Sequence, residues 1–327
     1  MNDKYSFYQS LFTRRLSRRD FIKLSAFLLA LLPFSKGLLR PLLAQGPSFN
    51  GRPKRMIKAK HDLVVMEGKD LYTMTVKAIE AMGGMGTFVK KNAVVVIKPN
   101  IANYYHNPGT TNPEVIAALV DLCYKVGAKR VNVFDSPKSA DPRVCYAYSG
   151  IQKATAERGA YLYILDNWNV VKAHFPYKSP MEGWPIFRDA IECDTFINVP
   201  ILRYHPATRL TISIKNLMGV CAGDRGLIHN DMDRKLVDLT DFIKPELTVV
   251  DAFRVVIKNL DRSTGITVKN IVYKNKILVS TDPTLADIFA CSIVDVDPQT
   301  VPYLRCAIQR KFGITNIANA DIAVMQT

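Results

Sequence analysis

The stretch 210–230 holds the side chains best suited to chemistry in this chain. The apolar run 210–214 predicts a buried strand, and Lys215, Asn216 and His229 follow it among three glycines. A lysine that leaves an apolar strand has a lowered pKa and can act as a base or a nucleophile. A histidine in such a loop can transfer protons or bind a metal. The alternative is a polar connection in which His229 is a surface side chain.

Polar side chains also follow several other predicted strands. Lys98 and Asn100 come after one strand, Arg203 and His205 lie beyond another, and Asp251 ends a third. Because ligands of open parallel sheets bind at the carboxyl ends of the strands, we expect these groups to share one crevice. Its cationic groups would hold a carboxylate or a phosphate, and helix starts would add N–H donors. The predicted catalytic residues are Lys215, His205, His229 and Asp251, and the predicted cofactor- or anion-binding residues are Lys98, Asn100, Thr110, Thr111 and Asn216.

The elements that must position these residues alternate between strands and helices. Apolar runs rich in β-branched residues predict the strands, and helical spacing with capping residues predicts the helices. The predicted strands are 61–66, 93–97, 130–134, 161–165, 195–200, 211–214, 247–250 and 277–280, and the predicted helices are 72–82, 111–126, 151–158, 232–243 and 284–294. Repeated strand–helix–strand units are typical of parallel sheets. We therefore predict a three-layer α/β fold, with a mostly parallel central sheet and helices on both faces.

The N-terminal segment resembles a twin-arginine export signal. Residues 17–23 read SRRDFIK and precede a short, mildly hydrophobic run. We therefore predict a signal peptide or anchor in 1–44, a linker in 45–58 and an α/β domain in 59–327. The predicted partner is the twin-arginine export machinery, and the predicted location is the periplasm or cell envelope. Ala44 suits a cleavage site but Leu42 does not, so cleavage and retention as a membrane anchor both remain open.

The composition argues against a nucleic-acid partner, and the cysteine spacing argues against an intrinsic iron–sulfur cluster. The chain is 48% hydrophobic with a net charge of +15, but it has no Lys/Arg run with interleaved aromatics. We therefore expect no nucleic-acid partner, whereas a moderately basic body suits a small anionic ligand. None of the six cysteines forms a C-x-x-C pair, so an intrinsic iron–sulfur cluster is not expected.

Five motifs resemble those of the domain-of-unknown-function family 362. They are IKPN (97–100), TTNPE (110–114), INVPILRYHPATRLTISIKNLMGV (197–220) with His229, VVDAF (249–253) and STDPTLADIFA (280–290). The resemblance covers about residues 60–300 and implies the fold and the site of that family, which has no agreed reaction. Arg203 stands where the family commonly has lysine, and Ala252 where it commonly has glycine. Some relatives carry a ferredoxin-like cysteine segment that this sequence lacks, so a separate redox partner remains open.

Two functions are consistent with these observations. The first is an exported enzyme acting on a small anionic substrate, in which Lys215 and one histidine carry proton or covalent chemistry. A metal ion or a redox link remains open as its cofactor. The second is a non-catalytic periplasmic binding or accessory protein for an anion, a metal or a cofactor. The element from His205 to Gly219 is also loosely similar to the His…Gly-Gly-Lys loop of nickel-pincer lactate racemases, although the glycines before the lysine are missing.

Overall fold

The structure, a computed structural model, describes residues 48–101, 109–137, 141–165, 169–257 and 270–327. The chain divides after Pro47, and Ser48–Thr327 forms one unit. The export signal predicted in 1–44 lies outside the described residues and stays a prediction. Within the described ranges, no helix is both long enough and apolar enough to cross a bilayer.

Strands and helices alternate along the described chain as follows. The strands are β1 (Ser48–Phe49), β2 (Leu63–Glu67), β3 (Val94–Pro99), β4 (Arg130–Val133), β5 (Tyr161–Leu162), β6 (Val170–Ala173), β7 (Pro185–Phe187), β8 (Thr195–Val199), β9 (Ile201–His205), β10 (Arg209–Thr211), β11 (Leu247–Val256), β12 (Ile271–Ser280) and β13 (Ile322–Gln326). The helices are α1 (Leu71–Ala81), α2 (Pro113–Lys125), α3 (Pro142–Tyr148), α4 (Ile151–Ala156), α5 (Asp189–Glu192), α6 (Ser213–Asn216), α7 (Met232–Ile243), α8 (Pro283–Ile293) and α9 (Pro302–Gln309). Short 3-10 turns include Leu217–Val220 and Arg225–His229.

One large sheet organises the fold. Its strand order is β13-β2-β12-β11-β8-β3-β4-β5, while β9 pairs with β11 and β10 pairs with β9. The strands β11, β8, β3, β4 and β5 are parallel to one another. The antiparallel strand β12 separates them from the parallel pair β2 and β13. The mostly parallel α/β sheet predicted from the sequence is confirmed.

Helices cover both faces of this sheet, which gives three layers. Successive side chains of a strand point to opposite faces. In β2, Val64 and Met66 join the apolar cluster that contains α1 and α2, whereas Leu63 and Val65 join the cluster that contains α7 and α8. All four side chains are at most 2% exposed, and burying a side chain of this kind contributes about 1.5–3 kcal/mol. In β2, the even-numbered residues therefore face the layer of α1 and α2, and the odd-numbered residues face the layer of α7 and α8.

A second sheet forms from segments that the sequence pattern missed. It contains β1, β6 and β7, and Ser48 pairs in register with Lys172. These strands are two to four residues long, too short to show a clear alternation of apolar and polar side chains. Part of the predicted linker packs on the fold, because Arg52 makes a buried ion pair with Glu246 at 2.9 Å.

A cationic candidate site at the carboxyl ends of the strands

The segment that carries Lys215 folds as a strand followed by a helix. The strand β10 ends at Thr211, and the next four residues after Ile212 form α6, so the predicted strand 211–214 is wrong beyond its first residue. The cause is a long-range contact. The two carboxylate oxygens of Asp287, on α8, accept the N–H groups of Ser213 and Ile214 at 2.8 and 3.0 Å. A carboxylate here satisfies the first free N–H groups of the helix and favours its positive end.

Asp287 makes this contact dependent on pH. The side chain is fully buried, and burial raises the pKa of its carboxyl from 3.8 to about 7. The folded protein therefore holds this proton more tightly than the unfolded chain. Its contribution to stability is complete below pH 3.8 and is lost as the pH rises through about 7.

We expect Asp287→Asn to lack this pH dependence. Between pH 3.8 and about 7, the free energy of unfolding of the wild type should fall relative to that of the variant. The slope should be at most about 1.4 kcal/mol per pH unit, the limit for one proton. Urea denaturation of both proteins across this range measures the difference. A difference that is constant with pH would contradict the assignment.

Lys98, near the end of β3, is buried in an ion pair. Its side chain is 0% exposed, and its Nζ lies 2.7 Å from Oδ1 of Asp135. The same ammonium donates to the carbonyl of Pro99 at 3.0 Å and to Oδ1 of Asn216 at 3.2 Å. Burial lowers the pKa of Lys98, and the Asp135 carboxylate acts against that shift. The three acceptors match the three N–H donors, so a ligand would have to displace one of them.

Asn216, the last residue of α6, connects this ion pair to two strands. Its Nδ2 donates to Oδ1 of Asn198 at 2.8 Å, and its Oδ1 accepts from Nδ2 of Asn100 at 3.0 Å. Gly219 packs against the same ion pair. A Cβ placed there would lie 2.7 Å from Nζ of Lys98, so the close approach requires glycine. The predicted residues Lys98, Asn100 and Asn216 therefore form one hydrogen-bonded network.

Lys215 and Arg203 form the cationic part of the site. Lys215 is 7% exposed, and among the described residues its amine has neither a hydrogen bond nor an ion pair. Burial, and then the charge of Arg203, lower the pKa of Lys215 well below 10.5. Burial also lowers the pKa of Arg203 to about 10, which Asp135 partly opposes. The Nε of Arg203 donates to Oδ1 of Asn100 at 3.4 Å, and this bond links Arg203 to the network around Lys98.

The two predicted histidines use Nδ1 in opposite ways, one as an acceptor and the other as a donor. Nδ1 of His205 accepts the N–H of Ala207 at 3.2 Å, so in the neutral ring the proton is on Nε2. His229 is an exposed residue, and its Nδ1 donates to the carbonyl of Gly226 at 3.0 Å, which in the neutral ring leaves a lone pair on Nε2. Burial, and then the charge of Lys215 with its cationic neighbours, lower the pKa of His205 to about 3. His205 is therefore a neutral donor across the physiological range, and His229 offers an acceptor.

Asp251, Thr110 and Thr111 are the other predicted residues, and they lie beside the start of α2. Oγ1 of Thr111 accepts the backbone N–H of Asn100 at 2.9 Å, so Thr111 borders the network. Oδ2 of Asp251 accepts the backbone N–H and the side-chain Nδ2 of Asn112, at 2.8 and 2.7 Å, at the start of α2. Oγ1 of Thr111 donates to the carbonyl of Val199 at 2.8 Å. All three predicted residues are at most 1% exposed. The N–H groups of Thr111 and Asn112, expected to meet an anion at this helix start, are therefore used within the fold.

The described residues offer a metal ion no ligand set. No three His, Cys, Asp or Glu side chains in these ranges converge on a point where an ion would bind. The neutral His205 carries its proton on Nε2, so that atom is not a ligand. All six cysteines are buried and unpaired, and burial raises the pKa of Cys221 to about 12. A metal centre therefore has no support from this part of the chain.

Three residues that shape the site are missing from the predicted set. Asp135 follows β4 and Asn198 lies near the end of β8, so the strand-end pattern that identified Lys98 also applies to them. Asp287 lies inside α8, where nothing in the sequence distinguishes it from an exposed helix acid.

A protein-family model and one curated relative match the chain. The family is described as "Domain of unknown function (DUF362)", and its model matches residues 95–292, a range that contains every site residue described above. The relative is the thylakoid-associated protein sll1697 of Synechocystis sp. It is 27% identical over 262 residues, which cover 73% of this chain and 74% of that protein.

Two solved structures are similar at low identity. The lactate racemase apoprotein from Thermoanaerobacterium thermosaccharolyticum gives a TM-score of 0.48 at 13% identity, covering 73% of this chain and 57% of that one. A structural-genomics protein from Thermotoga maritima gives a TM-score of 0.31 at 13% identity, covering 57% of this chain and 50% of that one. The chain thus spans about half the length of these two proteins.

Proposed function

The chain belongs to the DUF362 family, and from its cationic site we propose that it is an enzyme that binds a small anionic substrate and transfers a proton on it. The observation that carries this proposal is the amine of Lys215, which is 7% exposed beside Arg203 without a carboxylate partner in the described residues. A buried cation without a counter-ion is costly, and strongly perturbed groups of this kind concentrate at functional sites. A carboxylate or phosphate on the substrate supplies the missing charge.

Substrate binding is coupled to a proton on Lys215. Because its pKa is lowered, this amine loses its proton at a lower pH than an ordinary lysine. A bound anion favours the charged form and raises the pKa again. Binding therefore takes up protons, and the affinity for the anion weakens as the pH rises.

The two histidines have different roles, one as a proton acceptor and the other as a hydrogen-bond donor. Lys215 and Arg203 orient the anionic group of the substrate. The free lone pair on Nε2 of His229 receives the proton, so His229 acts as the general base. The Nε2–H of His205 donates to the oxygen on which negative charge develops, and this ring stays neutral because its pKa is lowered to about 3.

Exchange with heavy water tests this proposal. The full chain is incubated in D2O with a panel of small carboxylates and phosphate esters, and deuterium incorporation is followed by mass spectrometry. We expect the wild type to exchange at least one compound, and His229→Gln to do so about 100-fold more slowly or worse while still binding it.

His174→Gln is the matched control for this experiment. His174 is an exposed histidine paired with Glu182, and it has no contact with the cationic site, so its variant should exchange like the wild type. Binding of an anion by the wild type without exchange or conversion of any compound would instead establish the non-catalytic binding protein that the sequence left open.

We further propose that this enzyme acts outside the cytoplasm. The segment 17–23 supports export by the twin-arginine machinery, and the Synechocystis relative is described as thylakoid-associated, which supports a location at a membrane. We expect Arg18→Lys/Arg19→Lys to keep the protein in the cytoplasm, because the machinery recognises the arginine pair. Cell fractionation compares it with Arg14→Lys/Arg15→Lys. Equal periplasmic yields of the two variants would refute export by this route.

A further inference from the structure

A second basic site lies at the amino ends of the central strands. A pocket of about 500 Å³ opens where β3 and β8 begin, and its lining includes Arg52, Arg55, Lys90 and Lys91. Lys98 lies five residues beyond Ala93, so this pocket is roughly 17 Å from the Lys98 network at the opposite end of β3, at about 3.3 Å per residue. It shares no residue with the cationic site described above.

Cations exceed carboxylates in this pocket, and both of its acids are already engaged. Glu246 pairs with Arg52 at 2.9 Å and accepts the N–H of Phe196 at 2.7 Å. The carboxylate of Asp194 accepts the N–H of Val94 at 2.7 Å. Four cationic side chains face two carboxylates, which leaves an excess of two positive charges.

Hydrogen bonds hold the guanidinium groups of this pocket in place, and some of their N–H donors have no partner in the described residues. Nη1 of Arg55 donates to the carbonyl of Asp194 and to Oγ1 of Thr195, both at 3.1 Å, and its other N–H groups bond to no described residue. Nε and Nη1 of Arg52 are buried without a partner. Lys90 and Lys91 are exposed, and neither forms an ion pair with any residue of the described ranges. The unused N–H groups of the half-buried Arg55 and the two exposed ammonium groups are therefore the donors open to an oxygen-rich ligand.

We propose that this pocket binds a phosphate group carried by a larger molecule. A fixed guanidinium fits two phosphate oxygens at once, and two uncompensated charges match a phosphate monoester, whose charge approaches −2 at neutral pH. The volume is in the range of organic ligand sites and exceeds the size of inorganic phosphate. The carrier is either a soluble phosphorylated compound or a lipid headgroup, because both present the same group.

The test uses the full chain with Lys215→Met, so that the cationic site does not bind the probe. Binding of inorganic phosphate is measured by calorimetry. Binding to phosphatidylcholine vesicles, with and without phosphatidic acid, is measured by co-sedimentation. Lys90→Gln/Lys91→Gln removes two pocket cations, and the control Lys69→Gln/Lys77→Gln removes two exposed lysines elsewhere. Arg55→Lys keeps the positive charge but removes the guanidinium group, which can donate two hydrogen bonds to one phosphate.

We expect Lys90→Gln/Lys91→Gln to weaken binding about ten-fold or more, Arg55→Lys to weaken it less, and the control to bind like its parent. A loss confined to inorganic phosphate identifies a soluble carrier, and a loss confined to phosphatidic acid vesicles identifies a lipid headgroup. Absence of binding in both arms, or an equal loss in the control, overturns the proposal. The outcome is independent of the proposed enzyme activity, because every protein compared carries the same Lys215→Met substitution and the pocket shares no residue with that site.

Discussion

Replacing Lys215 with methionine is expected to abolish binding and turnover of the anion and, in the same protein, to raise the free energy of unfolding. The amine is 7% exposed and has no partner among the described residues. Replacing buried charge with an apolar side chain of similar volume often stabilises a protein, by about 1–4 kcal/mol. Because Lys215 holds the anionic group of the substrate, its removal should weaken binding by about 2–5 kcal/mol, as when one partner of a buried charge pair is removed. Opposite effects on stability and function are the signature of a group retained for its chemistry.

Lys235→Met is the matched control for this variant. Lys235 is buried to a similar degree, at 9% exposure, but its Nζ donates to the carbonyl of Leu227 at 2.7 Å and lies 5.4 Å from the ring centroid of Trp184. Its removal should lower stability and leave anion binding unchanged. Urea denaturation and calorimetry with the anion panel measure both quantities. A Lys215→Met protein that is less stable than the wild type, or that still binds the anion, would show that the amine has another partner.

The stability gained by Lys215→Met should also depend on pH. The pKa of Lys215 is lowered in the folded protein, whereas in the unfolded chain it is near 10.5. Between these two values the unfolded chain binds more protons, so the wild type becomes more stable as the pH rises. The advantage of the variant is therefore greatest below the folded pKa and shrinks as the pH approaches 10.5.

Local patterns predict the helices and the central parallel strands of this fold well. The helix α7 spans the predicted range 232–243, because apolar side chains at helical spacing identify it without knowledge of its neighbours. The pattern fails at β12, which is predicted as 277–280 and observed as Ile271–Ser280. Its first six residues are exposed or half-buried and form no apolar run. Such a strand is fixed by its pairing with β11, which the sequence alone does not reveal.

The sequence predicts those site residues that lie at strand ends, but not the residues that are placed by long-range contacts. Three of the predicted residues, Lys98, Asn100 and Asn216, are joined by hydrogen bonds. Two others, Lys215 and His229, lie close enough to the predicted His205 for their charges to lower its pKa. Asp251 also ends a predicted strand, but its side chain points to the α2 face, and a strand-end pattern does not indicate which face a side chain meets. The helical turn under Lys215 depends on Asp287, 74 residues along the chain from Ser213, so no local pattern predicts it.

Asp135→Asn is expected to lower the free energy of unfolding by about 3–5 kcal/mol, because it leaves a buried ammonium without its counter-ion. Lys98 is 0% exposed, and the amide keeps the shape of the carboxylate with one oxygen for the N–H of Ile101. The charge is therefore the main quantity removed. The double variant Lys98→Met/Asp135→Asn should recover most of the loss, because it removes both charges. Urea denaturation of the wild type, both single variants and the double variant gives the coupling energy.

An exposed ion pair is the control for this double-mutant cycle of Lys98 and Asp135. Arg188 and Glu192 are 2.8 Å apart with side chains 30% and 48% exposed, and Glu192→Gln should change stability by less than about 0.5 kcal/mol. Added salt should weaken that small coupling and leave the coupling of Lys98 with Asp135 nearly unchanged, since buried charges are poorly screened. If Asp135→Asn costs no more than Glu192→Gln, then Lys98 is neutral in the folded protein. In that case burial outweighs the carboxylate, and the hydrogen bond to Asn216, not an ion pair, holds β3 to α6.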